Sequence, residues 1–459
     1  MAKLVSANPG RNYEIVGEIE ISSKREIKQK VDQAEKAHNN WKSLGVKERI
    51  RFLKRIYVAF SKKKAEIGEL ATREIGMMFQ DREVIDINAG LDYFKWYLDN
   101  AEKYLAPEVT FEDKRAVHKV FFEPIGVAGV IVPWNFPFCN FIWGVIPNLI
   151  AGNTVIFKHS EECPLSGKLY ENIIRSCKLP KGVFSEIYGD GEVGNFLVHQ
   201  GIDLICFTGS AKVGQYLYQV ASKKFIKVIL ELGGSAPGIV FADADIDKVV
   251  ESVWINRFGN CGQICDGLKR LIAHQSKFDQ VVKALKKMLE DKKVSDPQNP
   301  ATEIGPLVSR KQLKTLEEQV KDALNKGAEV ITGGNKPKGL KGAYYLPTLL
   351  TRVNKKMKVW QEEVFGPVLP IVPFKTEKEA IDLANDTQYG LGGYIFTKDK
   401  RRAERVAKAI NTGMVNINSV SYLLPCNPFG GNKLSGIGRE HGKYGLRDLC
   451  KIKVVAFEK

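Results

Sequence analysis

Long apolar runs are missing from the chain, and this absence limits where the protein can act. None of its 459 residues falls in a run of roughly 18 consecutive apolar residues, so we expect no membrane span and no membrane partner. The opening stretch, MAKLVSANPGRNYEIVGEIE, lacks the apolar region ending in small residues that a secretory signal has. We therefore expect a cytoplasmic protein whose thiols stay reduced.

Cysteine and histidine are sparse, and neither is spaced as a disulfide framework or a metal site requires. Eight cysteines are scattered over the chain, at positions 139, 163, 177, 206, 261, 265, 426 and 450. Cys261 and Cys265 lie close together in FGNCGQICDGLKR (258–270), but no second Cys/His pair follows at ligand spacing, so we expect no metal. The glycine-rich setting makes Cys265 a candidate nucleophile, and burial in a core is the alternative.

The chain also lacks a basic run interleaved with aromatic residues, although its net charge is +16. Its lysines lie mostly on amphipathic segments such as 281–293, where acids and apolar residues accompany them. This pattern is typical of a solvated surface, so we expect no nucleic-acid partner. The positive charge is a weak indication of an anionic substrate.

Apolar periodicity predicts an α/β protein with more than one core, because the chain is long and its patterns alternate. Ile27, Val31, Ala34 and Trp41 recur at helical spacing, so the first hundred residues are expected to be helical. Short apolar stretches then alternate with helical ones, which predicts βαβ units and a parallel sheet. The predicted strands are 126–132, 153–157, 182–187, 203–207 and 227–232, with helices at 166–177 and 211–223. A second alternating region runs from about 238 to 420, with helices near 276–290, 309–326 and 400–410 and strands near 369–374 and 393–397.

Two successive glycine-containing loops predict a dinucleotide site. GDGEVG (189–194) satisfies G-x-G-x-x-G, but the acid that such a fingerprint needs about 20 residues on is absent. The next strand instead ends in FTGSAKVG (207–214), in which a glycine turn and a hydroxyl precede a helix. Such a turn presents free N–H groups to a phosphate. Either loop alone is also compatible with an ordinary βα turn.

Two further motifs place polar side chains at the ends of predicted strands. PWNFP (133–137) holds Asn135 between two prolines, which suits a ligand site or simply a rigid turn. ELGG (231–234) ends a hydrophobic strand with Glu231, a helix-cap partner or a general base.

Seven motifs together resemble the NAD(P)-dependent aldehyde dehydrogenase superfamily, in the family's order and over essentially the whole chain. They are PWNFP, FTGSxxVG, ELGG, GQxC, EEVFGPV (362–368), ANDTxYGL (384–391) and PFGGxKxSGxGRE (428–440). The resemblance implies an atypical Rossmann cofactor domain (1–105 and 125–232) and a second α/β catalytic domain (233–434). It also implies a small β oligomerisation arm (106–124 and 435–459) and a homodimer or homotetramer.

The catalytic roles follow from the resemblance. Cys265 of GQxC would be the nucleophile, and Cys261 would be a packing residue. Asn135 would donate its amide to the oxyanion together with the N–H of Cys265, and Glu231 would be the general base. The implied reaction is NAD-dependent oxidation of an aldehyde to a carboxylic acid through a thiohemiacetal and a thioester on Cys265.

The resemblance also implies the cofactor site. Ser210 and the helix that follows it would meet the pyrophosphate, and Glu363 and Phe365 would hold the nicotinamide half. Lys158 and Glu161 of KHSE would hold the adenosine ribose; Glu161 would repel a 2′-phosphate, so NAD is expected over NADP. The expected cofactor-binding residues are Ile131, Trp134, Lys158, Glu161, Gly191, Phe207, Thr208, Gly209, Ser210, Val213, Gly214, Glu363 and Phe365.

Some positions depart from the family, and they leave alternatives open. Gly144 stands where many members carry a lysine of a proton relay, Ser235 follows ELGG, and Asp266 places a negative charge beside Cys265. A CoA-acylating enzyme is the first alternative, although such members usually lack the glutamate kept here as Glu231. A catalytically silent binding protein is the second. KHSE and LGG (391–393) resemble the succinate semialdehyde dehydrogenase and related small-aldehyde branches of the family. The expected substrate is therefore a small, anionic aldehyde such as succinate semialdehyde.

Overall fold

Helices and strands alternate along most of the chain in the computed structural model, which describes residues 2–418 and 420–459. The strands are β1 (Lys3–Asn8), β2 (Glu14–Glu20), β3 (Glu108–Glu112), β4 (Ala116–Pro124), β5 (Val127–Ile131), β6 (Thr154–Lys158), β7 (Phe184–Ile187), β8 (Leu204–Gly209), β9 (Lys227–Leu232), β10 (Ala236–Val240), β11 (Leu268–His274), β12 (Glu329–Thr332), β13 (Thr348–Thr351), β14 (Val368–Phe374), β15 (Tyr394–Phe396), β16 (Asn416–Ile417), β17 (Gly436–Ile437) and β18 (Cys450–Glu458).

The α-helices flank these strands, and short helical turns of other types join some of them. The α-helices are α1 (Lys24–Ser43), α2 (Gly45–Lys62), α3 (Lys64–Ile75), α4 (Phe79–Asp81), α5 (Ala89–Tyr104), α6 (Pro137–Ala151), α7 (Pro164–Ser176), α8 (Gly191–Val198), α9 (Ala211–Lys224), α10 (Ile246–Val253), α11 (Phe278–Glu290), α12 (Arg310–Asn325), α13 (Lys358–Gln361), α14 (Glu377–Asn385), α15 (Lys400–Ala409) and α16 (Gly442–Asp448). Arg82–Asn88 and Trp254–Phe258 are π-helical, and Gly259–Gly262 and Lys433–Ser435 are 3-10 turns.

The first sheet contains the strands that the apolar stretches predicted. Its order is β17-β9-β8-β5-β6-β7, and all its neighbours are parallel except β17, which runs antiparallel to β9. Helices cover both faces, so β5, β6 and β8 are apolar almost throughout. At the carboxyl edge of this sheet, Ile131 pairs with both Lys158 and Phe207, and Thr208 pairs with Glu231.

The second sheet holds the other half of the chain and confirms the predicted α/β class. Its order is β12-β13-β14-β11-β10-β15-β16, with only β12 antiparallel to its neighbour. Residues 258–267 lead from the π-helix Trp254–Phe258 into β11 of this second sheet. They also contact the loop at the carboxyl end of β5 in the first sheet, because Asn260 hydrogen-bonds to Asn135.

The N-terminal segment differs from the helical expectation at its start. Helices α1 to α5 occupy most of the first hundred residues, and Ser23 caps α1 by accepting the N–H of Glu26 at 3.2 Å. Before them, β1 and β2 form an antiparallel hairpin. Its alternating pattern is visible in EIVGEIE (14–20), but most of these residues are exposed or half-buried, so the apolar signal is weak.

A third sheet is formed by β18, β4 and β3, all antiparallel. Residues 106–124 supply β3 and β4, and Cys450–Glu458 supplies β18. The preceding residues lie elsewhere: β17 pairs with β9, and α16 packs against α5 and α6.

Helix α6 lies at the centre of the first half of the molecule. Fourteen of its fifteen residues are buried, because the first sheet covers one side and α2 and α5 cover the other. It directly follows the PWNFP turn, so its packing fixes the position of Asn135. Among the described residues, no helix combines the length and apolar character needed to cross a membrane.

Asn153 should be essential to the stability of this half. Its fully buried Oδ1 accepts the N–H groups of Ile125 and Gly126 at 2.7 and 3.0 Å. Its Nδ2 donates to Asn148 Oδ1 at 2.9 Å and to the carbonyl of Leu449 at 3.0 Å. We expect Asn153→Ala to lower the free energy of unfolding by about 3 kcal/mol or more, because it leaves several buried polar groups unpaired.

Urea or thermal denaturation measures this loss. Asn325→Ala, at an exposed position at the end of α12, is the control and should change stability little. An Asn153→Ala protein as stable as the control would contradict the assignment.

Candidate active site

The loop that carries the nucleophile candidate is held in an uncommon backbone conformation. Asn260 and Cys261 have φ values of 46° and 53°, the left-handed region that non-glycine residues rarely adopt. Asn260 N–H donates to Asp81 Oδ2 at 2.7 Å, and its side-chain amide donates to the carbonyl of Asn135 at 2.7 Å. Gln263 accepts the N–H of Val308 at 2.9 Å. These hydrogen bonds fix the loop and explain why the strained conformation persists.

The two cysteines of this loop have different surroundings. Cys261 is buried in the core of the second half, where it packs among apolar side chains. Cys265 is half-buried and lines a cavity of about 650 Å³. Only Cys265 is therefore placed to meet a small molecule.

The cavity brings together residues from several of the motifs. Of the predicted site residues, its wall includes Cys265, Asn135, Glu231, Trp134, Thr208, Gly209, Ser210, Glu363 and Phe365. Trp134 and Phe365 meet edge to face, with ring centroids 5.6 Å apart. Two distant parts of the chain thus form one wall of the cavity.

Asn135 is fixed with part of its amide still available. Its Nδ2 donates to the carbonyl of Gln263 at 3.1 Å, and its Oδ1 accepts from Asn140 Nδ2 at 3.2 Å. Because an amide nitrogen carries two hydrogens, one N–H remains for a ligand in the cavity. Among the described residues, the backbone N–H of Cys265 has no hydrogen-bond partner either. The two donors suit a developing oxyanion.

Glu231 is a buried carboxyl group at the same cavity. Neither of its oxygens has a hydrogen-bond partner among the described residues. Burial raises its pKa well above the usual value, and the neighbouring Glu440 raises it further. Burial also raises the pKa of Glu440 to about 7. Carboxylates with raised pKa values are stronger bases near neutral pH.

Asp266 lies next to the nucleophile candidate and is held by a tyrosine. Its Oδ2 accepts the hydroxyl of Tyr422 at 2.7 Å, and its backbone carbonyl accepts the hydroxyl of Tyr394 at 3.1 Å. The thiol of Cys265 lies 3.8 Å from its Oδ1. Asp266 therefore contacts both Tyr422 and the thiol of Cys265.

Burial and several nearby charges act on the thiol of Cys265. Burial raises its pKa most, because the thiolate loses solvation. The carboxylate of Asp266 raises the pKa further, whereas the ammonium of Lys269 lowers it. Lys269 was not predicted from the sequence. A lysine at the start of the buried strand LKRLIAH (268–274) is the only signal that could have indicated it.

The remaining predicted cofactor residues lie at the carboxyl edge of the first sheet but outside the cavity wall. The ammonium of Lys158 is buried and lies 3.6 Å from Glu161, which is about half exposed. Ile131 of β5 pairs with Lys158 on one side and with Phe207 of β8 on the other. Gly191 opens α8 with free space where a side chain would lie.

Ser210 and the first turn of α9 suit a phosphate group. Ser210 caps this 14-residue helix by accepting the N–H of Val213 at 3.4 Å, and Val213 itself is exposed. The N-terminus of α9, the half-exposed carboxylate of Glu161 and the cavity lined by Cys265 together suit a dinucleotide. Gly214 also has a packing role, because a Cβ there would lie 2.5 Å from Leu232.

Gly144 shows why a relay lysine is absent from this position. A Cβ at residue 144 would lie 2.7 Å from Val130 Cγ1, so α6 packs too closely on β5 for a side chain. Glu440 nevertheless lines the cavity beside Glu231.

Comparison with known proteins agrees with this geometry. The family model described as "Aldehyde dehydrogenase family" matches residues 2–455. The peroxisomal aminoaldehyde dehydrogenase 1 of Pisum sativum is 36% identical, over 99% of this chain and 92% of its own length. The chain belongs to the aldehyde dehydrogenase family, and the predicted enzyme class is confirmed.

Solved structures show the same fold. A betaine aldehyde dehydrogenase from Staphylococcus aureus, in complex with NAD⁺, has a TM-score of 0.94 at 30% identity, covering 99% of this chain and 91% of that chain. An NADP-dependent enzyme from E. coli has a TM-score of 0.95 at 32% identity, covering 100% of this chain and 95% of that chain. The predicted aldehyde dehydrogenase-like α/β fold is confirmed.

Asp266→Asn should make Cys265 more reactive, because it removes the nearest negative charge that opposes the thiolate. We expect the midpoint of the pH dependence of alkylation by iodoacetamide to fall. The alkylation rate near neutral pH should rise about threefold or more. Mass spectrometry of the peptide that contains Cys265 measures the rate. Glu251→Gln, which removes another carboxylate of the cavity wall, is the matched control; an equal rise there would contradict the assignment.

Proposed function

We propose that the protein catalyses the NAD-dependent oxidation of an aldehyde to a carboxylic acid, with Cys265 as the nucleophile. The observation that carries the proposal is the single cavity that holds Cys265, Asn135 and Glu231 together. The three groups supply the nucleophile, the oxyanion donor and the base that such a reaction needs.

The first step is attack by the thiolate of Cys265 on the carbonyl carbon. A carbon–sulfur bond forms, and the carbonyl oxygen becomes an alkoxide that accepts hydrogen bonds from Asn135 Nδ2 and Cys265 N–H. Glu363 and Phe365 would hold the nicotinamide half of NAD, which would supply the acceptor for the hydride that this carbon loses. Cys265 would then carry the acyl group as a thioester.

Hydrolysis of the thioester is the role proposed for Glu231. Its carboxylate takes a proton from a water molecule, whose oxygen adds to the thioester carbon, and the sulfur leaves as the thiolate. Burial without hydrogen-bond partners makes Glu231 a stronger base, which supports hydrolysis over transfer to CoA. An acid product formed without added CoA distinguishes the two.

NAD is the proposed cofactor. Ser210 with the N-terminus of α9 would hold the pyrophosphate, and Lys158 with Glu161 would hold the adenosine ribose. The carboxylate of Glu161 is half exposed and would repel a 2′-phosphate, so NAD is preferred over NADP. Glu363 and Phe365 would contact the nicotinamide half from the cavity wall.

The cavity favours an aldehyde without a carboxylate. Its described wall contains five acidic side chains, namely Glu231, Glu251, Asp266, Glu363 and Glu440, and no Lys, Arg or His. Tyr93, Trp143 and Phe429 add aromatic surface, which attracts cations. Succinate semialdehyde, the expected substrate, therefore finds no cationic partner here, and we propose a neutral or cationic aldehyde instead. Two of the similar proteins are named for aminoaldehyde and betaine aldehyde, which are cationic compounds.

The assembly and location of the enzyme are proposals as well. We propose that the sheet of β3, β4 and β18 is an oligomerisation arm of a homodimer or homotetramer, because Ile452 and Val454 are exposed apolar residues on it. Residues 1–105 with 125–232 would form the cofactor domain, and 233–434 the catalytic domain. The eight free cysteines support a cytoplasmic location.

Cys265→Ala should abolish turnover, because the described wall of the cavity holds no other thiol to form the thioester. NADH production with an aldehyde and NAD, followed by absorbance, is expected to fall about a thousandfold or more. Cys261→Ala removes the neighbouring core cysteine and should retain most of the turnover. Turnover retained by a folded Cys265→Ala protein would overturn the mechanism.

A matched panel of aldehydes tests the charge preference. We expect kcat/KM for 4-aminobutyraldehyde to equal or exceed that for butyraldehyde. Succinate semialdehyde should be about tenfold or more poorer, because its carboxylate meets only acidic side chains. A panel in which succinate semialdehyde is the best substrate would contradict the proposal.

A further inference from the structure

Lys269 is a buried lysine that joins three segments of the site. Only 1% of it is exposed, at the start of β11. Its ammonium donates to the carbonyl of Cys265 at 2.9 Å, to the carbonyl of Gly234 at 2.9 Å and to Glu363 Oε1. All three N–H groups of the ammonium are therefore used, and each goes to a different segment.

The same ammonium lies at the boundary between the nucleophile and the proposed cofactor residues. It is 5.2 Å from the centroid of the Phe365 ring. Glu363 Oε1 also accepts the N–H of Gly234, at 3.2 Å. Glu363 is thus the only carboxylate among the described residues that pairs with Lys269.

We propose that Lys269 is a positioning residue that links the state of Glu363 to the reactivity of Cys265. The inference rests on the proposed function, in which Glu363 contacts the ribose of the cofactor. A ribose hydroxyl that donates to Glu363 competes with Lys269 for the carboxylate. The positive charge of Lys269 then acts more fully on Cys265, so the thiolate becomes more populated when the cofactor is present.

The charges around Cys265 define what the experiment must separate. Asp266, Glu363 and Glu231 oppose its thiolate, and Lys269 favours it. Removal of Glu363 has a direct effect on Cys265 and an indirect effect through Lys269. A double-mutant cycle separates the two, because only the indirect effect depends on Lys269.

The test is the pH dependence of alkylation of Cys265 by iodoacetamide, from about pH 6 to about pH 10, without substrate or cofactor. Lys269→Met keeps the aliphatic stem and removes the charge. We expect alkylation near neutral pH to slow about tenfold, which corresponds to a rise of about one pKa unit. Glu363→Gln should accelerate it by about threefold or more in the wild-type background, and by less in the Lys269→Met background. Equal acceleration in both backgrounds would overturn the proposal.

A second arm adds saturating NAD to the same assay. In the wild-type protein NAD should move the midpoint of alkylation to lower pH, and in Lys269→Met it should not. Lys224→Met is the matched control. Lys224 is a partly buried lysine at the C-terminal end of α9, and its ammonium donates to the carbonyl of Val198. Its profile should equal that of the wild type.

If Lys269→Met fails to fold by circular dichroism, Lys269→Gln takes its place in the same double-mutant cycle. Glu363→Gln should again accelerate alkylation less in the Lys269→Gln background than in the wild-type background; equal acceleration refutes the link. The alkylation assay needs no turnover. Failure of this inference is therefore distinct from failure of the proposed function, which turnover by Cys265→Ala would reveal.

Discussion

The hydrogen bonds of Asn260 join the two halves of the site, and the rest of its geometry depends on them. The main chain of Asn260 is tied to Asp81 and its side chain to the carbonyl of Asn135. Asn135 follows β5 of the first sheet, whereas Asn260 precedes β11 of the second. These bonds, together with the one from Asn135 to Gln263, hold one loop against the other, so that Asn135 and Cys265 line one cavity. The left-handed backbone of Asn260 and Cys261 is retained for the same reason.

Burial sets the chemistry of the groups that meet at this junction. Burial disfavours the thiolate of Cys265, and the carboxylate of Asp266 disfavours it further. The ammonium of Lys269 favours the thiolate. The same burial makes Glu231 a stronger base. A site of this kind responds strongly to each nearby charge, because few water molecules screen it. Small changes at Glu363 or Asp266 can therefore alter the reactivity of the sulfur.

Much of the fold and of the candidate site could be predicted from the sequence, because the motifs mark the ends of strands. Alternating apolar stretches predicted β5, β6, β8 and β9, and parallel strands bring their carboxyl ends to one edge. The hairpin of β1 and β2 was missed because its residues are mostly exposed. Lys269 was missed because a lysine in an apolar strand carries no signal of what it pairs with. Its partners, Gly234 and Glu363, lie far away in the chain.

The sequence by itself determined the family, the α/β class and the identity of the nucleophile candidate, because ordered motifs and local periodicity are properties of the chain. It could not determine the electrical environment of the site, since charge pairs form between residues that are distant in sequence. Only the tertiary structure placed Tyr422 on Asp266 and Lys269 on Glu363. It also lined the described wall of the cavity with acidic side chains and with no Lys, Arg or His. The expectation of an anionic substrate rested on the net charge of the whole chain and on the resemblance of short motifs to one branch of the family. The charge that a substrate meets is that of the cavity wall.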